Sequence, residues 1–280
     1  MTATTVSIGV IAPHGDLAIG EACDDDTRSL AAETQRAMSV MAERVAAARP
    51  DALVIATPHN VHISGHMAVL TSSEVAGRLD EAAHPLDLTC RVDRELALAI
   101  HQAMSAARVS TVAVSYGGND PAEAVSPMDW GVLVPLWHFA RVLSEAPVVV
   151  VAPAREFDAS THVEAGAAIT RAARQAGKRI AFIASADQGH GHQADGPYGF
   201  HPESAAFDAL ICDIVKRGAL RELMEITPDQ ARAAHVDSWW QMLMLHGALQ
   251  EDGASFDAEF LAYEVPTYYG MLTAVFEPRP

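Results

Sequence analysis

The sequence predicts an α/β fold: one domain over residues 1–280, with a central, mostly parallel or mixed sheet flanked by helices on both faces. Three observations carry this. Strand-sized apolar runs alternate with segments of helical period along the chain. The run Pro147 to Ala152 is almost continuous valine, as in a strand buried on both faces. No linker, repeat or low-complexity stretch divides the sequence.

The elements follow in order. Val6 to Ile11 is the first strand, and it runs into Ala12-Pro13-His14. Acidic residues at Asp24-Asp25-Asp26 precede a helix with Leu30, Thr34, Met38, Met41 and Val45 on one face, ended by Pro50. Ala52 to Ala56 is the second strand, and it runs into Thr57-Pro58-His59. Shorter amphipathic strands fill 66–90. A helix spans 93–106, with Leu96, Ile100 and Met104 in step. Val109 to Ser115 is a strand, and Gly117-Gly118-Asn119-Asp120 a loop. After the valine strand, Ser160 to Ala176 is a helix closed by Gly177. Arg179 to Ser185 is a further buried strand. Helices follow near 202–217 and 228–250.

Half of the chain is apolar and 20% is charged, as in an ordinary globular protein. A net charge of −17 argues against a nucleic-acid partner, because phosphate binding needs a basic surface. No apolar run reaches membrane-spanning length, and MTATTVSIGV lacks the features of a signal peptide. Cys23, Cys90 and Cys212 show no CxxC spacing, which fits a reducing compartment. The expectation is a cytoplasmic protein without membrane or nucleic-acid partners.

Thirteen histidines are many for this length. His84, His101, His162, His235 and His246 sit in helical or loop settings and read as surface or core residues. His62 and His66 follow His59 on a stretch that reads as loop into strand. His14 and His59 stand apart. Each follows a proline at the end of a strand, and ligands in α/β folds bind beyond those carboxyl ends. A neutral imidazole is the commonest protein ligand for a transition metal. A second concentration, Ser185-Ala186-Asp187-Gln188-Gly189-His190-Gly191-His192, follows the next buried strand, where a histidine could shuttle protons. Read alone, it is equally a polar turn. The segment Asp195 to Phe200 is a tight loop carrying Tyr198. Near the end, Glu264 lies among Phe260, Leu261, Tyr263, Val265 and Pro266. If buried, its carboxylate needs a cation; otherwise it is a surface glutamate. Two histidines and a carboxylate form the facial triad of non-haem Fe(II) oxygenases.

In these features the chain resembles the class III extradiol ring-cleavage dioxygenases, the LigB-type catalytic subunits. The anchors are Pro13-His14, Pro58-His59, the run Ser126 to Trp137, Ser185 to His190 with Pro197-Tyr198-Gly199, and Tyr263-Glu264. The resemblance covers nearly the whole chain. It implies Fe(II) held by His14, His59 and Glu264, and an acid/base role for His190, with Gly189 where the family usually has Ser. It implies a small aromatic substrate (a catechol, aminophenol or hydroxypyridone) cleaved with O2, and a homo-oligomer with or without a small helper subunit. Trp130 stands where many members have His, which puts a simple catechol in question. Trp130, Tyr198, Tyr268 and His192 are candidates for the pocket wall, against ordinary packing. The rival readings are a zinc-dependent hydrolase on the same scaffold and a non-catalytic Memo-like protein.

Overall fold

The structure is a computed structural model and describes residues 4–279. In chain order the strands and helices are β1 (Val6–Ala12), α1 (Ala32–Ala48), β2 (Ala52–Ala56), β3 (Met67–Leu70), β4 (Glu74–Leu79), β5 (Leu86–Arg91), α2 (Arg94–Ala106), β6 (Thr111–Val114), β7 (Val125–Pro127), α3 (Trp130–Ala140), β8 (Val148–Ala152), α4 (Ala159–Gln175), β9 (Ile180–Ser185), α5 (Pro202–Lys216), α6 (Pro228–Ala233), α7 (Trp239–Asp252), β10 (Phe256–Glu264) and β11 (Met271–Pro278). The predicted α/β class is what the chain adopts. The main sheet is mixed, in the order β10-β11-β1-β9-β2-β8-β3-β6. Its centre, β1-β9-β2-β8, is parallel. β11 and β3 flank that centre antiparallel to it. The four central strands are buried along their whole length, which is why they read as unbroken apolar runs.

Side chains on the two faces of the strands feed two cores, with β1 changing face at the register shift between Val6 and Ile8. Ile8, Val10, Leu53 and Ile55 pack with α1 and α3 on one face. Val6, Ile11, Val54 and Phe182 pack with α2, α4, α5 and α7 on the other. A second, smaller sheet, β5-β4-β7, lies beside α3.

The register puts the functional edge in place. Ala12 pairs with Ser185 and Ala56 with Ala184, so β1, β9 and β2 end side by side. His14, the loop after Ser185 and His59 therefore leave the sheet as neighbours.

Three expectations change. Leu30 precedes α1 and is exposed, because the helix starts only at Ala32. Helix α3 is an element the sequence pattern does not show, because Pro135 in its interior hides it from a propensity reading. The single helix expected near 228–250 is two helices. The chain breaks between α6 and α7, with His235 at φ 50°, and the break presents Asp237.

Candidate metal centre

Pro13 and Pro58 end β1 and β2, and the next residue of each turns its imidazole across the end of β9. His14 is buried and His59 half-buried. Their rings meet edge to face at 4.9 Å. The turn between α6 and α7 brings Asp237 to them from the other side. Asp237 Oδ2 lies 3.3 Å from His14 Nε2 and 3.1 Å from His59 Nε2. The three residues each offer one ligand atom, all within 4.8 Å of one another. The second oxygen of Asp237 is buried and has no hydrogen-bond partner.

The electrostatics of the cluster ask for a positive charge. Burial alone would lower the His14 pKa, but the Asp187 and Asp237 carboxylates override it and hold it at about 9. Burial likewise pushes Asp237 up, but the His14 and His59 imidazoles pull its carboxyl well below the usual carboxylate range. Without a metal, a proton on His14 stands in for the cation.

Glu264 does not join this group. Its Oε2 accepts from Thr34 N at 2.6 Å and Thr34 Oγ1 at 2.8 Å, at the first turn of α1. The carboxylate position expected of Glu264 is taken by Asp237. The physical reason is that Glu264 meets the unpaired N–H groups of a helix N-terminus, which satisfy a carboxylate without a metal. A signal for Asp237 was present: Asp237-Ser238 before the apolar run Trp239-Trp240 is a helix-start pattern.

His190 reaches the site from the loop after β9. Its Nε2 stands 3.9 Å from Asp237 Oδ2, too far for a hydrogen bond. Its Nδ1 is buried without a partner, and its ring stacks on Tyr269 at 5.5 Å. The loop is clamped to α5. Asp208 Oδ1 accepts from Gly189 N at 2.7 Å, and Ser204 Oγ accepts from Gly191 N at 2.9 Å. A Cβ at position 189 would come within 2.6 Å of Ser204 Cβ, so the loop has room only for glycine. That accounts for Gly189 where the resembling family has Ser. The same clamp removes His192 from the pocket wall: its Nε2 lies 2.9 Å from the buried Asp208 Oδ2, which also accepts from Tyr263 OH.

The remaining candidates line a cavity of about 630 Å3 with His14, His59, His190 and Asp237 at its base. Trp130 begins α3 and places its indole 4.7 Å from the His59 ring. Gly131 lets α3 start there, since a Cβ would come within 2.9 Å of His59 Cβ. Tyr198 and Tyr268 form the opposite wall, each near His190. Burial, with nearby charges, raises the Tyr268 and Tyr269 phenols, so the wall stays uncharged. A second cavity of about 600 Å3 opens onto His59, His190 and Asp237 from the side of His62 and Arg155.

Residues 11–276 match the family described as the catalytic LigB subunit of aromatic ring-opening dioxygenase. Among curated proteins, Protein CA_C1420 of Clostridium acetobutylicum is 24% identical over 256 residues, which cover 90% of this chain and 53% of that protein. The chain thus spans about half the length of that relative. Among solved structures, uncharacterized protein JW3007 from Escherichia coli K12 shares the fold, with a TM-score of 0.61 at 13% identity over 96% of this chain and 98% of that one. With 11–276 matched, the chain belongs to the family of catalytic LigB subunits of aromatic ring-opening dioxygenases.

Proposed function

We propose that the chain is a non-haem Fe(II) dioxygenase that opens the ring of a catecholic, aminophenolic or hydroxypyridone-type aromatic with O2. The observation that carries this reading is the convergence of His14, His59 and Asp237, with one Asp237 oxygen buried and unpartnered. A carboxylate facing two imidazoles in a buried setting suits a divalent cation, which repays the desolvation of all three. His14, His59 and Asp237 would hold the iron. When bound, it supplies the redox chemistry with O2 and open positions for the substrate's heteroatoms.

The other steps fall to the chain's own side chains. Trp130 on one wall and Tyr198 and Tyr268 on the other offer flat faces to an aromatic ring. His190 has a partner-free nitrogen and stands beside the metal ligands without bonding to them. It would take the proton of a ring hydroxyl and later give one back to the reacting centre. The raised phenols leave Tyr268 and Tyr269 as neutral donors beside the ring.

The test is anaerobic loading with Fe(II), then O2 uptake against a panel of catechols, aminophenols and hydroxypyridones. One O2 consumed per ring opened is expected. Zinc-dependent hydrolysis without O2 uptake would replace this reading with the hydrolase. His190→Ala should retain metal and lose roughly a hundred- to ten-thousand-fold in turnover, the usual range for an acid/base group; loss of the metal instead would make His190 a ligand.

A further inference from the structure

The interior of α3 holds a proline. Pro135 has no N–H to give to the carbonyl four residues back, and its ring crowds that carbonyl. The carbonyl belongs to Gly131, in the first turn of α3. It finds another donor: Ser185 Oγ, at the end of β9, gives its hydrogen bond to Gly131 O at 2.6 Å. A serine hydroxyl has a single proton, and a carbonyl oxygen only accepts. The Ser185 proton is therefore committed, and Ser185 faces His14 with a lone pair. His14 Nδ1 lies 2.9 Å from that oxygen, so Nδ1 must carry the proton it donates. The other nitrogen, Nε2, is left facing Asp237 and the metal position.

We propose that Ser185 and Pro135 are positioning residues that hold His14 with Nδ1 protonated and Nε2 presented as the ligand atom. This rests on the metal-centre reading above. An imidazole ligand commonly donates its other N–H to an outer partner that fixes its tautomer and tilt. Here the outer partner is a hydroxyl whose own direction is set by a proline on a different element. Pro135 is thereby given a reason to sit where it weakens its helix.

Zn2+ affinity is measured for the full chain by competition with a chelator at one fixed pH, beside the His14 imidazole 15N–1H resonances and the thermal midpoint. Ser185→Ala should weaken Zn2+ binding by about ten- to a hundred-fold, the usual worth of such a partner, and move the His14 Nδ1–H resonance. Ser185→Thr keeps the hydroxyl and should bind as the wild type does. Pro135→Ala returns an N–H to Gly131 O. It should raise the thermal midpoint, because an interior proline disfavours a helix, yet weaken Zn2+ binding. A merely structural role would move stability and affinity together. Wild-type affinity with an unmoved Nδ1–H resonance in Ser185→Ala or Pro135→Ala would overturn the proposal. If the wild type takes no Zn2+, the metal-centre reading fails on its own. In the metal-free chain the Nδ1–H resonance still reports the hydrogen bond to Ser185: a shift in Ser185→Ala supports the positioning role and an unmoved peak overturns it.

Discussion

Asp237 and Glu264 are both carboxylates in apolar surroundings, and their partners separate them. Asp237 has two imidazoles on one oxygen and nothing on the other. Glu264 has a backbone N–H and a hydroxyl. Asp237→Ala should therefore abolish tight metal binding, while Glu264→Gln should leave the metal stoichiometry at one per chain. Metal analysis after dialysis checks both, and the opposite pattern would return the ligand role to Glu264. Trp130 is half exposed and contacts His59 at the cavity wall. Its indole offers a donor and no acceptor, so it cannot take a proton. Trp130→His should shift the kcat/KM ratio toward plain catechols by about tenfold, or roughly 1.4 kcal/mol of differential transition-state binding. An unchanged substrate ranking would reduce Trp130 to a packing residue.

α1 has Ala31 at its cap position, with no side-chain cap of its own. Glu264, at the end of β10, supplies the missing acceptor to Thr34. Its charge also opposes the positive end of the helix. Glu264→Ala should cost about 1 kcal/mol, as loss of a helix cap does. That corresponds to a fall of roughly 2–4 °C in the thermal midpoint. On α3, His138 donates from Nε2 to Ala18 O at 3.1 Å, and burial lowers its pKa to about 4. The unfolded chain protonates this histidine near its ordinary value of about 6.5. Stability from neutral His138 is thus complete above pH ~6.5 and drains away as the pH falls toward 4. By pH 4.5 the loss is about 2.5 kcal/mol. His138→Gln keeps a donor for Ala18 and should remove that part of the acid sensitivity. Denaturant midpoints at pH 7 and pH 4.5 for both proteins measure it; equal acid losses would show that His138 titrates normally when folded.

The three residues that could hold a metal come from separate places in the chain: the ends of β1 and β2 and the turn before α7. An ion bound there would tie the first quarter of the chain to its last. Binding only to the folded state, it should stabilise the molecule by about 2.7 kcal/mol at a hundred times its dissociation constant. For a chain of this size that is roughly 5–10 °C in the thermal midpoint. Calorimetry with metal and with excess chelator should show the difference in the wild type and none in Asp237→Ala. Among the described residues, no helix is long and apolar enough to cross a membrane.

His14 and His59 could be read directly from the chain, because a strand end, a proline and a histidine are adjacent in sequence and their geometry is local. The same holds for the sheet centre, where burial on both faces demands unbroken apolar runs. Asp237 and Glu264 could not be assigned this way. The helix start at Asp237-Ser238 is legible, but that His235 in the left-handed region turns Asp237 toward the imidazoles is not. Glu264 finds its partner 230 residues away, where β10 meets the start of α1. Periodicity reports which face of an element is buried. It does not report which helix end or imidazole a carboxylate will meet, since that depends on how distant elements dock. Gly189 and Pro135 belong to the same class. Each looks like a local irregularity, and each is explained only by a neighbour from another element: Ser204 on α5 for the first, Ser185 on β9 for the second.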